Sequence, residues 1–204
     1  MNTRSKRILI GVCVAVGTLA IFALNVPGMR PTQRPQTVTT GEAKIGGPFV
    51  LTDTHGKRVT DDILKGHLSL LYFGFTNCPD ICPLALGTMT EALKIAGPVA
   101  DTVMPVFVSI DPERDTPQAM GEYIANFHPR FVALTGSIDE VKTMTTNWRV
   151  YFAKQGGGDE KAYTMAHSDF VYLIGPDGRY LTHFRSEDSS LDMANRIKRE
   201  LLPK

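Results

Sequence analysis

Cysteine is scarce in this chain: its 204 residues hold three. That is too few for the disulfide scaffold of a small secreted domain. Cys13 lies in a separate apolar segment, which leaves Cys78 and Cys82 as a single pair in the body of the protein. Charge imbalance is equally lacking, with a net charge of +1 from 22 Lys and Arg against 21 Asp and Glu. Without a basic field to meet a phosphate backbone, a nucleic-acid partner is not expected. Also missing is a clean small-x-small cleavage site after the N-terminal apolar run, where Ala23-Leu24-Asn25 is a poor one. No long Arg- and Ser-rich transit peptide precedes that run, which favours a bacterial inner-membrane protein over a mitochondrial precursor.

The apolar content is ample. At 43% hydrophobic residues the chain has material for one domain with a substantial core. Arg4, Lys6 and Arg7 precede the uncharged run from Ile8 to Leu24, which is short for a membrane span and long for a signal-peptide core. Residues 1–26 are therefore expected to be an uncleaved signal anchor, a single transmembrane helix. Its basic tip would be cytoplasmic and everything after Asn25 periplasmic. In that reading Cys13 is a passive membrane residue. Residues 27–41 (PGMRPTQRPQTVTTG) are polar and proline-rich without periodicity and read as a flexible linker. The folded domain is expected over 42–204.

Within that domain, Phe49–Leu51 and Val59 flank a turn and suggest a short hairpin, with one helical turn over 61–65. Leu68 to Phe75 is a short apolar, aromatic-rich run, the mark of a strand buried on both faces. Residues 84–95 follow with helical periodicity, ended by Gly97-Pro98. A second buried strand is expected over 103–110, and a helix over 117–127 with Thr116 as N-cap and Pro117 at its first position. A short strand over 131–134 precedes a helix from a Ser137 cap to Trp148. Residues 150–154 read as another strand, and the Gly156-Gly157-Gly158 loop leads to Tyr163–Ser168. Strands over 169–174 and 179–184 turn at Pro176-Asp177-Gly178, and an amphipathic helix over 191–202 closes the chain. This order predicts an α/β, thioredoxin-like fold, a central mixed sheet flanked by helices. A site in such a sheet lies beyond the C-terminal ends of its strands.

Cys78 and Cys82 fall where the central strand hands over to a helix. Residues four apart on a helix share a face, so both thiols would address one point. Pro79 and Pro83 suit a first helical turn, and the helix N-terminus favours thiolate, the form that binds metal or attacks a disulfide. The plainer alternative is a pair of core cysteines or one structural disulfide. Asp80, between the thiols, is expected to cap the helix. Of the five histidines, His55, His67, His128 and His183 are read as structural or exposed. His167 ends the glycine-rich loop and is expected to precede a strand directly. Two thiolates and an imidazole suit copper in either oxidation state, or zinc, and leave an open coordination position.

Three ordered motifs carry a resemblance: CPDICP after FGFT, IDPERDTP over 110–117, and AHSDFVYLIGPDG over 166–178. Together they are similar to the Sco/SenC family of membrane-anchored, thioredoxin-like copper proteins, and the likeness covers the domain over 42–204. The resemblance implies that Cys78, Cys82 and His167 are copper ligands, holding one copper per domain. It further implies copper delivery to the dinuclear centre of cytochrome c oxidase subunit II, with reduction of that subunit's cysteines as a second activity. Such a reductase would use Cys78 as attacking thiolate and Cys82 as resolving thiol. An i,i+4 helical pair would close a disulfide only with a distorted first turn. A peroxiredoxin-like peroxidase is a third possibility on the same fold. In thioredoxin-type oxidoreductases a cis-proline faces the cysteines; here the nearest prolines are Pro129 and Pro176, and His167 stands in that place, which favours a metal site. Family members commonly carry an aspartate before the ligand histidine, whereas this chain has Ala166, with Asp169 as a weak substitute. Asp111, Glu113, Arg114 and Asp115 read either as a helix-capping, ion-paired loop or as functional, a layer behind the cysteines or a docking surface.

Overall fold

The computed structural model describes residues 44–156, 163–185 and 187–202. The expected anchor with Cys13, the linker, and Gly157-Gly158 lie outside the described residues. Among the described residues no helix is long and apolar enough to cross a membrane.

The chain enters its sheet through the expected hairpin, β1 (Val50–Asp53) and β2 (Arg58–Thr60), and Asp61–Leu64 makes one 3-10 turn. The central strand β3 (Ser69–Gly74) is buried at all six positions. Helix α1 (Ile81–Ala96) ends at Gly97, whose N–H still bonds the Leu93 and Lys94 carbonyls and whose φ of 72° turns the following chain out of the helix. A 3-10 segment, Gly97–Thr102, then leads to β4 (Met104–Ser109). The expected cap at Thr116 accepts from Ala119 N and opens α2 (Pro117–Ile124), which leads to β5 (Val132–Thr135). Ser137 and Glu140 form a reciprocal capping box on α3 (Ile138–Asn147). Strands β6 (Phe152–Gln155), β7 (Thr164–His167), β8 (Phe170–Ile174) and β9 (Tyr180–Arg185) follow, and α4 (Ser190–Leu201) ends the fold.

Seven strands form one mixed sheet in the order β2-β1-β5-β4-β3-β8-β9. Strands β3, β4 and β5 are parallel, while β1 and β8 join them antiparallel. Side chains alternate between faces, so Tyr72 and Gly74 share one face while Leu71 and Phe73 share the other. On the first face Tyr72 stacks with Phe107, which meets Tyr123 of α2. On the second, Phe73 and Tyr172 pack against Trp148, just past α3. Both faces are covered, which is why β3 reads as an unbroken apolar run.

The region after Trp148 departs from expectation. Residues 164–167 are a strand rather than the end of a loop, and His167 is its last residue. Strand β7 pairs only with β6, from Phe152–His167 to Gln155–Thr164, as a separate two-stranded sheet. The four-residue strands bury one residue fully between them, Met165, so the two-residue hydrophobic alternation that announces a strand is faint.

Candidate metal centre

After Gly74 the chain makes a single turn, in which Cys78 N donates to Phe75 O at 3.3 Å. Cys78 therefore stands in that turn, ahead of α1, and the expected helical i,i+4 geometry does not hold. The pair meets by another route: Cys82, in the first turn of α1, donates its backbone N–H to Cys78 Sγ at 3.4 Å. The sulfur satisfies an orphan amide of the helix start. Asp80 occupies the N-cap position but makes no side-chain cap bond, contrary to expectation. Two of the amides it could reach are gone, because Cys82 N is engaged by sulfur and Pro83 has none.

Cys82 is 0% exposed and Cys78 is 9% exposed. Cys82 lies hard against the end of β3, where a Cβ on Gly74 would come within 2.8 Å of its sulfur and 3.0 Å of both Phe107 and Tyr72. Glycine is what admits the thiol there.

His167 completes the cluster from the β6–β7 sheet. Its Nε2 is 3.6 Å from Cys82 Sγ, and its Nδ1 is 2.9 Å from Ser168 O. A carbonyl only accepts, so Nδ1 carries a proton, and Nε2 is the ring atom that faces the sulfurs. The ring stands edge-to-face with Tyr72 and Phe75, centroids 6.1 and 6.0 Å away. One donor atom from each of Cys78, Cys82 and His167 lies within 4.8 Å of the others. Metal–sulfur and metal–nitrogen bonds of about 2.0–2.3 Å put such donors roughly 3.5–4 Å apart, so the cluster suits one ion after a small contraction.

The thiols differ in proton affinity. Cys78 is pulled down to about 4, chiefly by the hydrogen bond from Cys82, with help from His167 and the backbone amides of Asp80 and Cys82, and against the effect of burial. Cys82 is pushed up because it supplies that hydrogen bond and is itself buried. Cys78 is therefore the thiol that ionises first, and a metal ion would displace whatever protons the pair still holds.

The loop after β4 carries the expected ion pair with Arg114, while the cap of α2 is Thr116 and not one of its acidic residues. Arg114 Nε donates to Asp111 Oδ2 at 2.5 Å, and Arg114 packs over Phe75 at 5.9 Å. Asp111 and Asp115 are 1% and 0% exposed. Burial raises the Asp115 carboxyl, against hydrogen bonds from Ser109 and Thr76 that lower it. Asp169, weighed as a substitute carboxylate, accepts from Tyr72 Oη at 3.2 Å, while the partner of His167 Nδ1 is Ser168 O. Ala166 pairs with Ala153 across the small sheet. The other histidines have separate surroundings: His128 Nδ1 accepts from Arg130 N, His183 pairs with Tyr180, and His55 bonds Asp53 through its backbone. His67 Nε2 is buried with no hydrogen-bond partner. Sequence reasoning passed over Gly74, Phe75 and Tyr163 as site residues and read Tyr72 only as part of a strand. A tyrosine inside an aliphatic strand was the available signal, since its hydroxyl needs a buried partner.

A mixed thioredoxin-like sheet with two thiols and an imidazole gathered at the C-terminal edge of its parallel strands defines a thiol- or metal-handling protein. Residues 37–202 match the SCO1/SenC family, and the chain belongs to it. It is 40% identical over 195 residues to a SCO2-like protein of Rickettsia prowazekii, spanning 95% of each chain. ScoI of Bradyrhizobium japonicum, solved with copper bound, is 43% identical, with a TM-score of 0.71 over 77% of this chain and 99% of that one. BsSco, a member of the Sco family of cytochrome c oxidase assembly proteins in which a disulfide switch was identified, is 29% identical. Its TM-score is 0.62, over 78% of this chain and 94% of that one.

Proposed function

We propose that this protein is a copper metallochaperone whose cargo is held by Cys78, Cys82 and His167 and passed to the dinuclear copper centre of cytochrome c oxidase subunit II. The observation that carries this reading is the convergence of two thiols and one imidazole within 4.8 Å. Soft sulfur donors favour Cu(I), and the imidazole accommodates Cu(II). Three protein ligands leave room for a ligand of the recipient to enter, so transfer can proceed by ligand exchange without a free ion. Copper-bound ScoI supports the choice of metal, and the membership of BsSco in an oxidase-assembly family supports the recipient. Residues 1–26 anchor the chain in a bacterial inner membrane in this reading, with 42–204 in the periplasm.

The test is copper stoichiometry of the full chain, reduced and loaded separately with Cu(I) and Cu(II), beside Cys78→Ser, Cys82→Ser and His167→Ala. One tightly held ion, lost or spectrally altered in all three variants, is expected. Unchanged affinity and spectrum in His167→Ala would remove the three-ligand site.

A second reading is a thiol–disulfide reductase acting on the recipient's cysteines. The low proton affinity and greater exposure of Cys78 suit it to attack, with Cys82 resolving. Reduction of a partner disulfide at a rate indifferent to Cys78→Ser would exclude it.

A further inference from the structure

Among the described residues, the strand that carries His167 has no backbone ladder to the main sheet, because β6 and β7 pair only with each other. Apart from the chain's own step into β8 at Phe170, its placement rests on side chains, and on the Tyr163 side of the strand these converge on that tyrosine, the residue preceding β7. Tyr163 Oη donates to Asp111 Oδ1 at 2.6 Å. Arg114 Nη1 donates to Tyr163 O at 2.9 Å, and the guanidinium carbon lies 3.8 Å from the centroid of the Tyr163 ring. Lys154 Nζ, on β6, sits 4.5 Å from the same centroid and 2.6 Å from Glu113 Oε2. The hydroxyl, the ring and the carbonyl of one tyrosine are thus engaged by residues of the loop over 111–114.

The same loop grips the cysteine limb. Asp115 accepts from Thr76 Oγ1 at 2.6 Å and from Thr76 N at 3.2 and 3.3 Å, two residues before Cys78. Ser109 Oγ donates to Asp115 at 2.6 Å, and Asp115 N donates to Asp111 O at 2.9 Å. One short loop therefore touches both limbs and sets the distance between them. The four-residue step from Tyr163 to His167 along an extended strand is roughly 13 Å, so these residues act at a remove from the metal donors.

We propose that Asp111, Arg114 and Tyr163 form a lock that positions His167 over the cysteine pair, and so decides whether the site offers three donors or two. This deepens the copper reading and rests on it for its consequence in metal binding. The lock is made of a buried carboxylate, a planar guanidinium and a phenol, and each contributes something its nearest substitute lacks. Phenylalanine at 163 keeps the ring but loses the bond to Asp111. Lysine at 114 keeps the charge but loses the fork that reaches both Asp111 and the Tyr163 carbonyl. Asparagine at 111 keeps an acceptor for the phenol and loses the ion pair.

The experiment compares the full chain with Tyr163→Phe, Arg114→Ala, Arg114→Lys, Asp111→Asn and His167→Ala in two measurements. Amide hydrogen exchange of the apo protein is expected to accelerate about tenfold or more at 152–155 and 164–167 in Tyr163→Phe and Arg114→Ala, with β3 and β4 unchanged. In the second measurement Cu(II) affinity is expected to fall about 10–100-fold. The nitrogen hyperfine pattern of bound Cu(II) should shift toward that of His167→Ala, while Cu(I) affinity falls far less because the two thiolates remain. Asp111→Asn should lie between parent and Tyr163→Phe, and Arg114→Lys should restore little. Parent-like exchange in the hairpin of a folded Tyr163→Phe overturns the lock, and so does a parent-like Cu(II) spectrum. Should Arg114→Ala fail to fold, Tyr163→Phe decides the matter. If His167→Ala itself binds Cu(II) as the parent does, the copper reading fails, and hydrogen exchange alone still judges the lock.

Discussion

Cys82 and His167 reach the same point from differently built parts of the molecule. Cys82 rides on a helix packed against the central strand, 0% exposed, with its sulfur pressed against Gly74, Phe107 and Tyr72. His167 ends a strand in a sheet of two, half-buried, and is tied to the body by side chains and by the short step into β8. Backbone hydrogen bonds and close packing fix the first limb. The second depends on a phenol, a guanidinium and edge-on aromatic contacts, each of which is individually modest. A site assembled this way has one half fixed by backbone bonds and close packing and one half held by fewer contacts. That asymmetry suits a carrier, which must both hold and release.

The strongest break in this comparison is removal of a ligand from the rigid half. Cys82→Ser is expected to weaken copper binding by at least about 100-fold in both oxidation states, the upper range for loss of even an outer-shell partner. His167→Ala is expected to affect chiefly Cu(II). Competition with chelators of known affinity for each oxidation state checks both. Next comes Asp115→Ala, which strands Thr76 N and Thr76 Oγ1 in a part-buried setting and Ser109 Oγ in a buried one. With about 1–3 kcal/mol for each donor left unsatisfied and partial relief by water, a loss near 3 kcal/mol is expected, read as a lower urea midpoint.

Gly74→Ala sharpens the comparison because it overpacks the rigid limb alone. About 1–3 kcal/mol of destabilisation is expected. Cys82 should also become more reactive toward alkylating reagents as its sulfur is displaced. Alkylation unchanged from the parent would mean that the approach of Cys82 to β3 can relax at no cost.

The proton affinities predict a pH signature. Cys78 is depressed to about 4 in the folded protein. Between that value and the ordinary thiol range the unfolded chain binds more protons, so this group's stabilisation grows as pH rises. It is complete above the ordinary thiol range and is lost as pH falls through about 4. Cys82 is raised, so it opposes folding only once pH exceeds the ordinary thiol value. Replacing Cys78 by serine should flatten the rise of stability with pH across the acidic and neutral range, measured by urea unfolding at a series of pH values. The smallest effect is expected at the capping box, far from the site in sequence. Ser137→Ala should cost about 1 kcal/mol and leave copper binding untouched.

The main sheet was legible because its strands are covered on both faces. Full burial of β3 and all but the first position of β4 demands unbroken apolar runs, and those runs stand out in the sequence. The helix starts were legible for a local reason: Thr116 and Ser137 are good caps whatever surrounds them. The start of α1 was misread, because the amide expected to bond Asp80 is taken by a sulfur and the next residue is a proline. No rule of sequence spacing contains that substitution.

The chain positions of the two thiols and the five histidines were set by the sequence alone, and the resemblance to the Sco/SenC family singled out Cys78, Cys82 and His167 among them. What only the tertiary structure decided is how the donors are held: Cys78 outside the helix, Cys82 against Gly74, and His167 on a two-stranded sheet locked through Tyr163 to the loop over 111–115. These arrangements join residues as much as 85 positions apart, as in the contact between Cys82 and His167. Local propensity and periodicity carry information over a few residues, whereas such contacts depend on the packing of elements that are adjacent only once the sheet has formed.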